Sequence, residues 1–124
     1  MKGVKAHHIA LRTPDFARAK AFYTEVLGLS VAAEMPGRDC VFIDIGGTTI
    51  ELTGAADQEP GASGAFAHLA FEVDDIDATF AELKAKGVEF FVEPRDAGLM
   101  RIAFFRDPDG NPLELFKSAV YRWS

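Results

Sequence analysis

The sequence predicts an α+β fold made of two βαβββ modules, and three observations predict it. "AHHIALRTPD" at 6–15 returns sixty residues later as "FAHLAFEVDD" at 66–75, matching His8 with His68, Ala10 with Ala70 and Asp15 with Asp75. "GGTTIELT" at 46–53 returns sixty-three residues later as "DGNPLELF" at 109–116, matching Gly47 with Gly110 and Glu51 with Glu114. Between these stretches, helix-period and strand-period segments follow in the same order twice. A repeat near sixty residues is longer than the roughly 20–50 residue period of solenoid units, so it describes two similar modules rather than a stacked array.

The first strand is "VKAHHIALR" at 4–12. It runs into a helix at about 14–27, with Thr13 as cap, Pro14 in the first position and Gly28 as terminator. Phe16, Ala19, Phe22, Tyr23, Val26 and Leu27 recur there at helical spacing. Strands follow at 29–35, 40–45 and 48–54, the last two joined by Gly46 and Gly47, a two-residue turn tolerant of positive φ. "AADQEPGASGA" at 55–65 has no periodicity and reads as a linker. The second module repeats the order. It has a strand at 66–73, a helix at about 75–86 capped by Asp74 and ended by Gly87, and strands at 88–94, 99–106 and 112–117. The last two strands are joined by the "DPDG" turn. Residues 118–124 form a tail, and the whole is read as one domain of 1–124.

A net charge of −6, with no run of Lys or Arg long enough to track a phosphate backbone, excludes nucleic acid and anionic membrane as partners and leaves a small molecule. The one cysteine, Cys40, reads as a small buried hydrophobe and fits a reducing compartment. "MKGVKAHHIA" lacks the apolar segment of a secretion signal, which places the chain in the cytoplasm.

Alternation along a strand sends successive side chains to opposite faces. Ile9 and Leu11 therefore oppose His8, Ala10 and Arg12, and Ile50 and Leu52 oppose Glu51. In the second module Leu69 and Phe71 oppose His68, and Leu113 and Leu115 oppose Glu114 and Phe116. With the aliphatic rows packed beneath the helices, each module carries one His and one Glu on its other face. A buried carboxylate needs a partner, and a single divalent cation would satisfy two imidazoles and two carboxylates together. Ni, Zn, Co, Fe and Mn are not distinguishable from these ligands. His7 stands beside His8; its parity puts it on the Ile9 face, so a one-residue change of register exchanges the two. Taken singly, each of these residues also has an ordinary reading as a solvated surface group.

"HIALRTPDFARAKAFYTEVLGL", "HLAFEVDDIDATFAELKAKGV" and above all "FFRDPDGNPLELF" make the chain resemble the vicinal oxygen chelate superfamily over about residues 4–117. That superfamily includes glyoxalase I, fosfomycin-resistance enzymes, bleomycin-resistance proteins, methylmalonyl-CoA epimerase and extradiol dioxygenases. The resemblance implies a cupped mixed sheet around a metal, frequently completed by a homodimer. Glyoxalase I-like members take a His and a Glu from each module, which corresponds here to His8, Glu51, His68 and Glu114. It implies Glu114 as the main catalytic base, Glu51 as its counterpart and Arg12 as a ligand for a glutathione carboxylate. One departure is visible: where glyoxalase I-like enzymes place an asparagine, four residues beyond the first-module Glu, this chain has Ala55.

By parity Phe42, Phe66 and Phe116 are candidates to line a substrate pocket, and Arg12, Arg101 and Arg106 are candidates to meet an anionic substrate group. Each of these arginines also reads as a solvated surface group, and for Arg106, beside the "DPDG" turn, that reading is preferred. The resulting expectation is a metal-dependent lyase or isomerase acting on a thiol hemithioacetal such as a glutathione adduct. Another metalloenzyme of the same superfamily (epimerase, thiol transferase or dioxygenase) and a non-catalytic drug or metabolite binder are the alternatives.

Overall fold

The computed structural model describes residues 2–3, 6–57 and 67–121. The chain divides into two compact units, Met1–Pro60 and Gly61–Ser124. No helix among the described residues is long and apolar enough to cross a membrane.

In the first unit, β1 (His8–Thr13), β2 (Ser30–Glu34), β3 (Cys40–Asp44) and β4 (Thr49–Gly54) form a mixed sheet of order β1-β4-β3-β2. β1 and β4 are parallel and the other pairs antiparallel. In the second, β5 (Leu69–Glu72), β6 (Phe90–Ala97), β7 (Met100–Arg106) and β8 (Pro112–Ser118) repeat the pattern as β5-β8-β7-β6, with β5 and β8 parallel. The predicted α+β architecture of two βαβββ halves is present. The glycine signals hold as well: Gly28 and Gly87 take φ of +75° and +91° just beyond their helices, and Gly46 and Gly47 take +86° and +104° in the hairpin.

The alternation also holds in the packing. Ile43, Ile50 and Leu52 are fully buried with Ala19 and Tyr23 from the helical segment. The second core is Ile76, Leu83, Ala103, Phe105, Leu113 and Leu115, closed by α2 (Ile76–Ala85) against β6, β7 and β8.

The helices begin and run differently from the sequence expectation. α1 is Phe16–Ala21, and its cap is Asp15, whose carboxylate accepts from the Arg18 amide at 3.2 Å. Thr13 instead accepts from the Asp15 amide at 3.1 Å, a side-chain turn that ends β1. Asp75, not Asp74, caps α2 and accepts from Ala78 N at 3.0 Å. After Ala21 the helix widens into a π-helical stretch, Phe22–Val26. There the Thr24 hydroxyl donates to the Lys20 carbonyl at 2.7 Å, and Leu27 N reaches back five residues to Phe22 O at 2.9 Å. β6 continues past Pro94 because it is an edge strand with register shifts on either side of Val92, where a missing N–H costs no ladder bond. Asp75→Ala is expected to lower stability by about 1 kcal/mol, the usual cost of a lost N-cap, as read by thermal unfolding; Asp74→Ala, one residue before the cap, serves as the control.

Candidate functional site

Each unit pairs one imidazole with one carboxylate through the same register. In the first, Glu51 in the middle of β4 stands between Ala10 of β1 and Phe42 of β3. In the second, Glu114 of β8 stands between Ala70 of β5 and Phe104 of β7. The small alanines leave room above each carboxylate, and the phenylalanines wall it. His8 opens β1 with its Nε2 4.0 Å from Glu51 Oε2, and its ring meets Phe42 edge-on at 5.6 Å. His68, one residue before β5, places Nε2 3.1 Å from Glu114 Oε1, and its ring meets Phe104 at 5.3 Å.

The two pairs are chemically unequal. The Glu51 side chain is 23% exposed and the Glu114 side chain 10%. Burial pushes the Glu114 carboxyl above its ordinary value, and the charge and hydrogen bond of His68 pull it part of the way back.

His7 behaves unlike its parity. It precedes β1, where alternation is no longer imposed by a ladder, and its ring lies edge-on to Phe42 at 5.9 Å, beside His8. The Nδ1 atoms of His7 and His8 are 2.9 Å apart, so one carries the hydrogen and the other accepts it. If His8 is the donor, its Nε2 holds a free lone pair toward Glu51, the form that a metal ligand requires. The Thr49 hydroxyl, donating to the His7 carbonyl at 2.8 Å, holds this segment in register.

The donor set suits a divalent cation of the imidazole and carboxylate class. Two donors each about 2.1 Å from one ion at a right angle lie about 3 Å apart, and the His68–Glu114 separation matches this; the His8–Glu51 pair is wider. Among the described residues no three His, Cys, Asp or Glu side chains gather into a metal-holding cluster, so each unit by itself offers a pair.

The remaining expected residues are placed as follows. Arg12 is exposed on the His8 face of β1, in register with Thr53. Phe42 lies against both histidines. Phe116 is half-buried on the Glu114 face of β8. Phe66 lies outside the described residues. Arg101 requires a correction: it belongs to the opposite, helix-facing side of β7. There Nε and Nη2 donate to Asp77 of α2 at 2.9 and 2.8 Å, and Nη1 donates to Asp96 at 3.1 Å. Its guanidinium is already paired with two carboxylates there, on the face away from Glu114.

Phe104 escaped the sequence reading. Its signal was an offset of sixty-two from Phe42, masked because the second hairpin is one residue longer and because Phe105 follows it.

A family model described as Glyoxalase/Bleomycin resistance protein/Dioxygenase superfamily matches residues 5–115. The chain belongs to this superfamily. It is 40% identical to the protein YaeR of Escherichia coli (strain K12), over 94% of this chain and 99% of that one. It is 37% identical to a probable lactoylglutathione lyase of Vibrio cholerae serotype O1 (strain ATCC 39315 / El Tor Inaba N16961), over 90% and 88%. The crystal structure of TnmS3, an antibiotic binding protein from Streptomyces sp. CB03234, superposes with a TM-score of 0.80 at 28% identity, covering 96% of this superfamily member and 99% of that chain.

Proposed function

We propose that the chain is a metal-dependent lyase of the glyoxalase I type, converting a thiol hemithioacetal into a hydroxyacyl thioester, with His8, Glu51, His68 and Glu114 as ligands of one divalent cation. The observation that supports this reading is the carboxylate at the same register in both units, each with its own histidine. When bound, the cation supplies Lewis-acid stabilisation to an enediolate. The protein's own part is proton transfer. Glu114, dry and with a raised carboxyl pKa, takes the proton from the thiol-bearing carbon and returns it to the neighbouring carbon; such positioned acid-base groups typically contribute about 10²–10⁴-fold. Glu51 is the counterpart from the first unit, and Phe42, Phe104 and Phe116 keep water from the reacting carbons.

Turnover of methylglyoxal plus glutathione, followed by ultraviolet absorbance of the thioester after loading with nickel, cobalt, zinc or manganese, tests the reading. Activity with at least one metal is expected. Glu51→Ala should weaken metal binding by more than the roughly 10–100-fold that loss of an outer-sphere partner costs. Inactivity with every metal overturns the substrate, and failure to take up metal overturns the centre. Mixing Glu51→Ala with Glu114→Ala protein reads the assembly. Recovery of part of the activity means that a homodimer shares ligands between copies, since one of its two centres then regains all four.

A second reading has its own support. The likeness to an antibiotic binding protein favours a non-catalytic binder, and protein that stays metal-free under these conditions supports that reading.

A further inference from the structure

We propose that Arg106, stacked on Phe91, is a specificity residue that receives a carboxylate of the substrate beside the His68–Glu114 pair. This deepens the glyoxalase-type reading and rests on it for the substrate class.

On β7, Phe104 is in register with Glu114 and Arg106 with Pro112, so alternation puts Phe104 and Arg106 on the Glu114 face, opposite Arg101. Leu69 of β5 is in register with Leu113, which brings His68 level with Pro112 and therefore with Arg106. Two steps between neighbouring strands separate them, about 10 Å. Contacts join the same points: His68 meets Phe104 at 5.3 Å, Phe104 meets Phe91 at 5.7 Å, and the Arg106 guanidinium lies over Phe91 at 4.3 Å.

The guanidinium is held in place, and its charge is unpaired among the described residues. Its Nη1 donates to the Gly110 carbonyl at 3.1 Å within the turn, and Phe91 supports its plane. No carboxylate among the described residues pairs with it. Of its five N–H donors one is used by Gly110, which leaves the Nε and Nη2 edge, the fork that fits a carboxylate with two parallel bonds. Arg101 shows that fork filled, with both oxygens of Asp77. Arg106 offers the same edge, on the face that carries the candidate base. Phe91, 50% exposed, gives the planar support that fixes the fork before a ligand arrives. In the first unit the position equivalent to Arg106 is Asp44, whose Oδ1 accepts from Gly46 N at 2.8 Å, so only the second unit carries this cation. Sequence offers Arg106 as one of three candidate arginines and favours an ordinary surface role for it, because its aromatic support, Phe91, comes from a different strand.

The test is equilibrium binding of S-methylglutathione, and of its diethyl ester, to the purified full-length protein by calorimetry. Binding needs no turnover, so it stands apart from the activity assay. The wild type should prefer the carboxylate ligand. Arg106→Gln should weaken that ligand about tenfold and narrow the preference. Arg106→Lys, which keeps the charge without the fork, should recover part of it, and Phe91→Ala should weaken binding in the same direction. Thermal melts confirm that each variant is folded. Equal binding of acid and ester by the wild type, no binding of either, or unchanged affinity in a folded Arg106→Gln protein overturns the proposal. If Arg106-dependent binding persists while no metal gives turnover, the reaction fails and this inference stands.

Discussion

Glu114→Gln is expected to abolish turnover and, in chelator-treated protein, to raise stability at neutral pH. Loss of the base alone should reduce the rate by about 10²–10⁴-fold. The stability gain follows from linkage. Burial raises the Glu114 carboxyl above 4.5, so between that value and the raised one the native state binds more protons than the unfolded state. Stability contributed by this group therefore falls as pH rises through that window. The penalty is absent below the unfolded value and fully present above the folded one. Glutamine keeps an oxygen to accept from His68 Nε2 and carries no charge, so it should be the more stable of the two at pH 7.5, with the difference shrinking as pH falls toward 4. Asp77, held below its ordinary value by the Arg101 fork, has the opposite pH dependence, but it is present in both proteins and cancels in the difference. Paired thermal melts across pH 4 to 8 check this. A variant less stable than wild type at pH 7.5, or a difference that does not change with pH, would show that Glu114 is a stabilising residue and not one held at a cost for chemistry.

The sequence displayed those features that strand alternation and internal repetition impose, and hid those set by contacts between strands. Glu51 and Glu114 were legible because each sits among aliphatic residues whose burial leaves its parity unambiguous. The repeat matches Asp15 with Asp75, yet local pattern points to Thr13 and Asp74 as caps, because several capping residue types stand side by side and only the reach to the amide three residues on decides among them. Parity puts His7 on the Ile9 face, and its ring lies against Phe42 instead because it precedes the ladder that enforces parity. Arg101 looked available until α2 brought Asp77 across to it, a pairing twenty-four residues apart that no local pattern announces. Phe104 was obscured by the extra residue in the second hairpin, and the support of Arg106 by Phe91 is a contact between strands that no local pattern announces.

That hairpin carries the largest expected loss of stability. Asp107→Ala should cost about 3 kcal/mol, lowering the melting temperature by roughly 10 °C. Asp107 is buried, and its Oδ1 accepts from the amides of Asp109 and Asn111 at 3.0 and 2.8 Å, while its Oδ2 accepts from Asn111 Nδ2 at 2.7 Å. Alanine removes all three acceptor contacts at once and leaves donors facing inward, where each unmade bond costs about 1–3 kcal/mol before water or rearrangement recovers part. Asp107→Asn should be milder, since its amide retains one acceptor oxygen while its NH₂ group opposes the Asn111 side chain. The equivalent turn provides the comparison: among the described residues Asp44 accepts only the Gly46 amide, at 2.8 Å on an exposed surface, so Asp44→Ala should cost well under half as much. The damage should also reach the site. This turn sets the register that puts Phe104 beside Glu114, and it presents the Gly110 carbonyl that holds Arg106. An Asp107→Ala protein below its melting temperature should therefore bind S-methylglutathione more weakly, whereas Asp44→Ala, in the other unit, should bind it as the wild type does.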